Sequence, residues 1–153
     1  MQNLITLNNL HKLPNGRIIA ITLSMAIGLG VVYLLGSSTL FMLAILLTLL
    51  SIFEGNKACN SKDIECDDIM LDSFVGGFFA LVFAISSKDI TTNTQLITAS
   101  IIALIAYIMM DKYKPSTIKW LKENVKGALG ITLSSILAGI AGGFVSILVM
   151  YIT

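Results

Sequence analysis

Five apolar runs, at 18–35, 36–53, 73–87, 96–110 and 128–152, take up most of the 153 residues of this chain. A helix needs about 20 residues to cross the hydrocarbon core of a bilayer. The last run is long enough alone. The first two just suffice and are joined by the short turn Gly36-Ser37-Ser38. The third and fourth are shorter, and are expected to borrow semipolar flanks or to sit in a locally thinned bilayer. Charged residues are only 12% of the chain, about half of what a soluble domain uses to cover its surface. Lipid is therefore the expected solvent for much of this surface. The pattern predicts an all-α polytopic membrane bundle of about five apolar helices plus a short interfacial helix. One domain, residues 1–153, accounts for the whole chain.

Charge placement supports the five-span count. With the N-terminus on the cytoplasmic side, nine of the ten basic residues fall inside: Lys12, Arg17, Lys57, Lys62, Lys112, Lys114, Lys119, Lys122 and Lys126. Only Lys88 falls outside, as the positive-inside tendency requires. Three or four spans would break that sorting. Eight of the nine acids share the same side, Glu54, Asp63, Glu65, Asp67, Asp68, Asp72, Asp111 and Glu123, and Asp89 alone does not. Any chemistry that needs charge is thus expected at the cytoplasmic face, on a substrate with a polar head there and a lipid tail in the bundle. Lys12 and Arg17 ahead of an apolar run resemble the start of a signal peptide. The run is longer than a usual signal core, and more apolar runs follow it, so it reads as an uncleaved first span.

Several function classes drop out. A net charge of +1 creates no field that would recruit nucleic acid. Cys59 and Cys66 are too few for a disulfide framework, and zinc would need two more ligands, with the single His11 far off in sequence. Neither cysteine is expected to be bridged or metallated. Residues 115–126 read as a short interfacial helix: Pro115 at its start, Ile118, Leu121 and Val125 on one face, Lys119, Lys122 and Lys126 towards headgroups, Trp120 as anchor. A basic loop that only fixes topology is the competing reading. Gly76, Gly77, Gly139 and Gly143 with their small neighbours predict close helix packing.

Three clusters could carry chemistry: Asp67-Asp68 through Asp72-Ser73 to Gly76, Asp111 through Lys114-Pro115, and residues 124–130 followed by Ser134-Ser135. Carboxylates at the mouths of different helices can converge on Mg²⁺, which takes oxygen ligands and bridges to phosphate. Lys114 offers a point charge for phosphate, and the glycine-framed start of the last helix offers backbone N–H groups. Bland alternatives stand beside each. Asp72 or Ser73 can be a helix cap, Asp111 a marker of the water boundary with Lys114 snorkelling, and Ser134 and Ser135 can bond back to their own helix.

These clusters, in this order, resemble the bacterial phosphatidylglycerophosphatase A family. Its I-V-x-D-E-x-x-G pattern aligns with Ile69-Met70-Leu71-Asp72-Ser73-Phe74-Val75-Gly76. Its F-R-x-x-D-x-x-K-P-x-P-I aligns with Tyr107-Ile108-Met109-Met110-Asp111-Lys112-Tyr113-Lys114-Pro115-Ser116-Thr117-Ile118. Its N-V-x-G-G-x-G, Asp-Asp pair and A-G align with Asn124-Val125-Lys126-Gly127-Ala128-Leu129-Gly130, Ser134-Ser135 and Ala138-Gly139. The N-terminal P-G-T-x-G-S-L signature is reduced to little more than Pro14-Asn15-Gly16.

The resemblance implies a Mg²⁺-dependent phosphatase of phosphatidylglycerol phosphate in the bacterial cytoplasmic membrane, working at its cytoplasmic face. Asp72 and Asp111 would bind metal and carry catalysis, while Lys114, Gly127 and Gly130 would hold the phosphate. It also marks departures: Ser73 stands for a glutamate, Ser134 and Ser135 for paired aspartates, and Ile108 for an arginine. Hydroxyls bring no charge to a metal and are poor bases near neutral pH. Loss of one well-placed catalytic group commonly costs ~10²-fold in rate or more. Three hypotheses follow: a divergent phosphatase, an inactive relative that binds a lipid headgroup or a membrane partner, and a small transporter or channel. The last lacks the mid-membrane ionisable groups such proteins usually carry.

Overall fold

The computed structural model describes residues 16–60, 71–86, 92–113 and 115–153. Six helices run in order: α1 (Gly16–Leu35), α2 (Ser37–Asn60), α3 (Leu71–Ile85), α4 (Asn93–Tyr113), α5 (Ser116–Asn124) and α6 (Ala128–Ile152). Four of them, α1, α2, α4 and α6, are long and apolar enough to cross a membrane, and α3 is a shorter apolar helix. The chain is an all-helical, multi-pass membrane bundle. Its outer faces carry Leu34, Leu46, Leu49, Phe53 and Leu148, each 60% exposed or more. Large apolar side chains turn outward because lipid, unlike water, imposes no cost for their exposure. Small residues turn inward, where they let backbones approach.

The helix lengths decide one expectation and correct another. The fourth run borrows its polar flanks, as one of the two expected alternatives had it, and α4 reaches 21 residues. Its start is a capping box: the Gln95 side chain accepts the Thr92 backbone N–H at 3.2 Å, three residues ahead. The 36–38 turn shrinks to Gly36 alone, whose φ of 87° breaks the helix and lets α2 begin at once.

Helix α3 keeps the 15 residues of its run, and its place in the bundle explains why that is enough. It packs against α1, α2, α4 and α6, so protein rather than lipid covers most of it. Its pairing with α6 is the tightest in the molecule. A Cβ on Gly139 would strike the Gly76 carbonyl oxygen, and one on Gly143 would lie 2.5 Å from Phe83 Cβ. Polar bridges add to this packing. Ser51 and Thr132 hydroxyls lie 3.1 Å apart between α2 and α6, and Ser146 donates to the Ala99 carbonyl at 2.7 Å between α6 and α4.

The helices alternate in direction, so the starts of α1, α3 and α6 and the ends of α2 and α4 share one rim. Helix α5 packs on α6, burying Ile118 and leaving Trp120 59% exposed. Its Lys119 and Glu123 pair at 3.8 Å across one turn. This matches the amphipathic segment read from the sequence.

Candidate functional site

The rim where α1, α3 and α4 meet collects the chemistry. Asp72, in the first turn of α3, is fully buried. Asp111, in the last turn of α4, is mostly buried, its side chain 17% exposed. Between them reaches Arg17, from the first turn of α1. Its Nη2 lies 3.4 Å from Asp72 Oδ2, and its Nη1 lies 3.8 Å from Asp111 Oδ1. The two carboxylates that the sequence singled out are brought to one arginine.

Two serines attend Asp72. Ser135, on α6, donates its hydroxyl to Asp72 Oδ2 at 2.6 Å, and Ser73 Oγ faces Oδ1 at 3.4 Å. Ser134 instead donates to the Ile131 carbonyl in its own helix at 2.7 Å. Bonding back to the same helix thus holds for Ser134 and not for Ser135. Tyr107 closes the floor: it is fully buried and its hydroxyl donates to the Ser73 carbonyl at 3.3 Å. Gly76 is obligatory here, since a Cβ would collide with the Tyr107 hydroxyl and lie 2.6 Å from the Ser135 carbonyl oxygen.

A cavity of about 230 Å³ opens beside the ion pairs, lined by Arg17, Ile18, Ile21, Ile108, Asp111 and Lys112. It has a charged mouth and isoleucine walls. Ile108, the position aligned with an arginine in the motif, lines the same cavity that Arg17 enters. Arg17 was read from the sequence only as a topology marker. The signal that could have found it is composition: it is the single arginine among ten basic residues. Arginine's rigid fork suits paired carboxylates in a way that lysine's point charge does not.

Gly127 and Gly130 are not among the residues that line this cavity. Gly127 adopts φ 78° at the turn into α6 and lies against Asn56 of α2. The Ala128 N–H at that helix start is already accepted by Asn56 Oδ1 at 3.1 Å. A Cβ on Gly130 would meet the Val125 carbonyl, so this glycine serves the α5–α6 turn. Lys114, Asp67, Asp68, His11 and Cys66 lie outside the described residues, as does the side chain of Cys59. Among the described residues, no group of three or more His, Cys, Asp or Glu side chains is placed to hold a metal ion.

Comparison with known proteins adds one match. The family model for phosphatidylglycerophosphatase A covers residues 6–150. No curated protein and no solved structure matches the chain.

Proposed function

Because the chain belongs to the phosphatidylglycerophosphatase A family, we propose that it binds the phosphomonoester headgroup of a phosphatidylglycerol phosphate-like lipid at the Arg17–Asp111 rim without hydrolysing it. The observation that carries this reading is the cavity itself. Two cationic side chains, Arg17 and Lys112, line it with Asp111, beside Ile18, Ile21 and Ile108. That pairing suits an amphiphile with an anionic head and an apolar body.

Hydrolysis needs more than binding. On the motif alignment, three acidic positions are Ser73, Ser134 and Ser135. The Ser135 hydroxyl is committed to Asp72 and that of Ser134 to Ile131, so neither is poised to activate water. Among the described residues none completes a Mg²⁺ site: Asp72 and Asp111 face a guanidinium, and the nearby hydroxyls carry no charge. The basic-residue distribution supports a rim on the cytoplasmic side, which the family would put in a bacterial inner membrane.

The test uses purified protein in detergent. Dioctanoyl phosphatidylglycerol phosphate should raise its unfolding midpoint, dioctanoyl phosphatidylcholine should not, and Arg17→Met should remove the response. With Mg²⁺ present, no phosphate should appear above a blank. In a phosphatase-deficient strain the unaltered chain should fail to complement, with growth returning only after Ser73→Glu, Ser134→Asp and Ser135→Asp together. Phosphate release that Asp72→Asn abolishes would establish the enzyme instead.

A further inference from the structure

We propose that the Arg17 guanidinium is a built-in replacement for a divalent cation, holding the Asp72 and Asp111 carboxylates together and making this rim independent of metal. Two carboxylates on different helices repel in a poorly solvated site unless a cation lies between them. Here a cation does, and it is covalently part of the chain. One guanidinium nitrogen addresses Asp72 at 3.4 Å and the other addresses Asp111 at 3.8 Å. Such a division suits a planar group with five donors and a charge that persists at any working pH.

Among the described residues, the surroundings suit an arginine and are short of oxygen ligands for a metal. A Mg²⁺ ion demands near-octahedral oxygen at about 2.0–2.1 Å. Asp72 Oδ2 already accepts from Ser135 and faces Arg17, while Oδ1 faces Ser73. The Ser134 hydroxyl is spent on its own helix, and Ile108 offers no oxygen to the cavity it lines. A divalent ion entering this gap would also meet the guanidinium as a like charge. Lys112 lines the same cavity. Among the described residues, the charges of Asp72, Asp111, Arg17 and Lys112 then balance with no bound metal ion.

This assignment rests on the ion pairs and stands whether or not a headgroup binds, so its test contains no lipid substrate. Mn²⁺ serves as the probe, read by electron paramagnetic resonance on purified protein in detergent, beside thermal unfolding in EDTA and in millimolar Mg²⁺. The wild type is expected to show no stoichiometric Mn²⁺ binding and one unfolding midpoint in both buffers. Arg17→Ala should unfold earlier in EDTA, recover in Mg²⁺, and bind Mn²⁺ at least about tenfold more tightly than wild type, because a like charge has left the gap. Arg17→Lys should remain indifferent to metal at a lowered midpoint. Stoichiometric Mn²⁺ binding by the wild type, lost in Asp72→Asn, would overturn the proposal. So would a folded Arg17→Ala that gains neither affinity nor Mg²⁺ response. If Arg17→Ala does not fold, the wild-type titration and Arg17→Lys still decide.

Discussion

Replacing Ser135 by aspartate would test whether the Asp72 site tolerates a second negative charge. The Ser135 hydroxyl sits 2.6 Å from Asp72 Oδ2, and both residues are buried. An aspartate there sets two carboxylates side by side. At about 4 Å and an effective dielectric near 20, their repulsion is about 4 kcal/mol. Loss of a hydrogen bond to a charged group adds about 1.5–3 kcal/mol, and Arg17 offsets part of the sum. Ser135→Asn is the matched control. It has nearly the same shape, no charge, and an amide N–H that can still donate to Asp72, so its cost is mainly overpacking, about 1–3 kcal/mol. The difference between the two variants reports the added charge together with the lost hydrogen bond, less what Arg17 offsets. In EDTA, SDS titration of the protein in mixed micelles should place Ser135→Asp about 4 kcal/mol below Ser135→Asn, and Mg²⁺ should narrow that gap. Equal stability of the two variants would refute the idea that carboxylates in this pocket require a cation.

Three further variants probe the scaffold. Gly139→Ala drives a Cβ into the Gly76 carbonyl, which is backbone and cannot swing aside. A loss of about 1–3 kcal/mol is expected, whereas Gly30→Ala, with nothing within 4 Å of the new carbon, should be neutral or slightly stabilising in the same thermal assay. Asn56→Ala removes the side chain that accepts the Ala128 N–H. It should cost about 1 kcal/mol and speed hydrogen exchange at the start of α6 while leaving α3 unchanged. Ser146→Ala deletes a hydrogen bond to the Ala99 carbonyl, and in a membrane bundle this should cost only about 0.6 kcal/mol in unfolding measurements.

The fold was legible because apolar runs of membrane length admit few other structures. What the runs could not show was which helix lipid leaves uncovered. Helix α3 looks too short until its neighbours are seen to enclose it. The ends of α4 were hidden in Asn93, Thr94 and Gln95 and in Asp111, Lys112 and Tyr113, which hydropathy alone reads as loop. At the site, Asp72 and Asp111 were legible through motif spacing. The contrast between Ser134 and Ser135 was not, because adjacent residues on a helix point about 100° apart and only the packing partner decides which one meets Asp72. Arg17 escaped notice because its partners lie 55 and 94 positions away in sequence. No local pattern links an arginine at the start of one helix to carboxylates at the mouths of two others.

That distance explains how the site could change while the bundle did not. Close packing between α3 and α6 depends on backbone atoms: Gly76, Gly139 and Gly143 have no substitute, because any Cβ strikes a carbonyl or a neighbouring side chain. Such positions are fixed one by one. Charge is different, since a long side chain can deliver it from any helix whose end reaches the same rim. Arg17 does so from α1, entering the cavity beside Ile108 of α4. There it faces both acids, Asp72 and Asp111. A site built in this way keeps its geometry through Tyr107, Gly76 and Ser135, whose positions follow from backbone packing. Its electrostatics come from one mobile side chain. The glycine variants should therefore unfold the bundle in any buffer, whereas those at Arg17 should trade stability for sensitivity to metal.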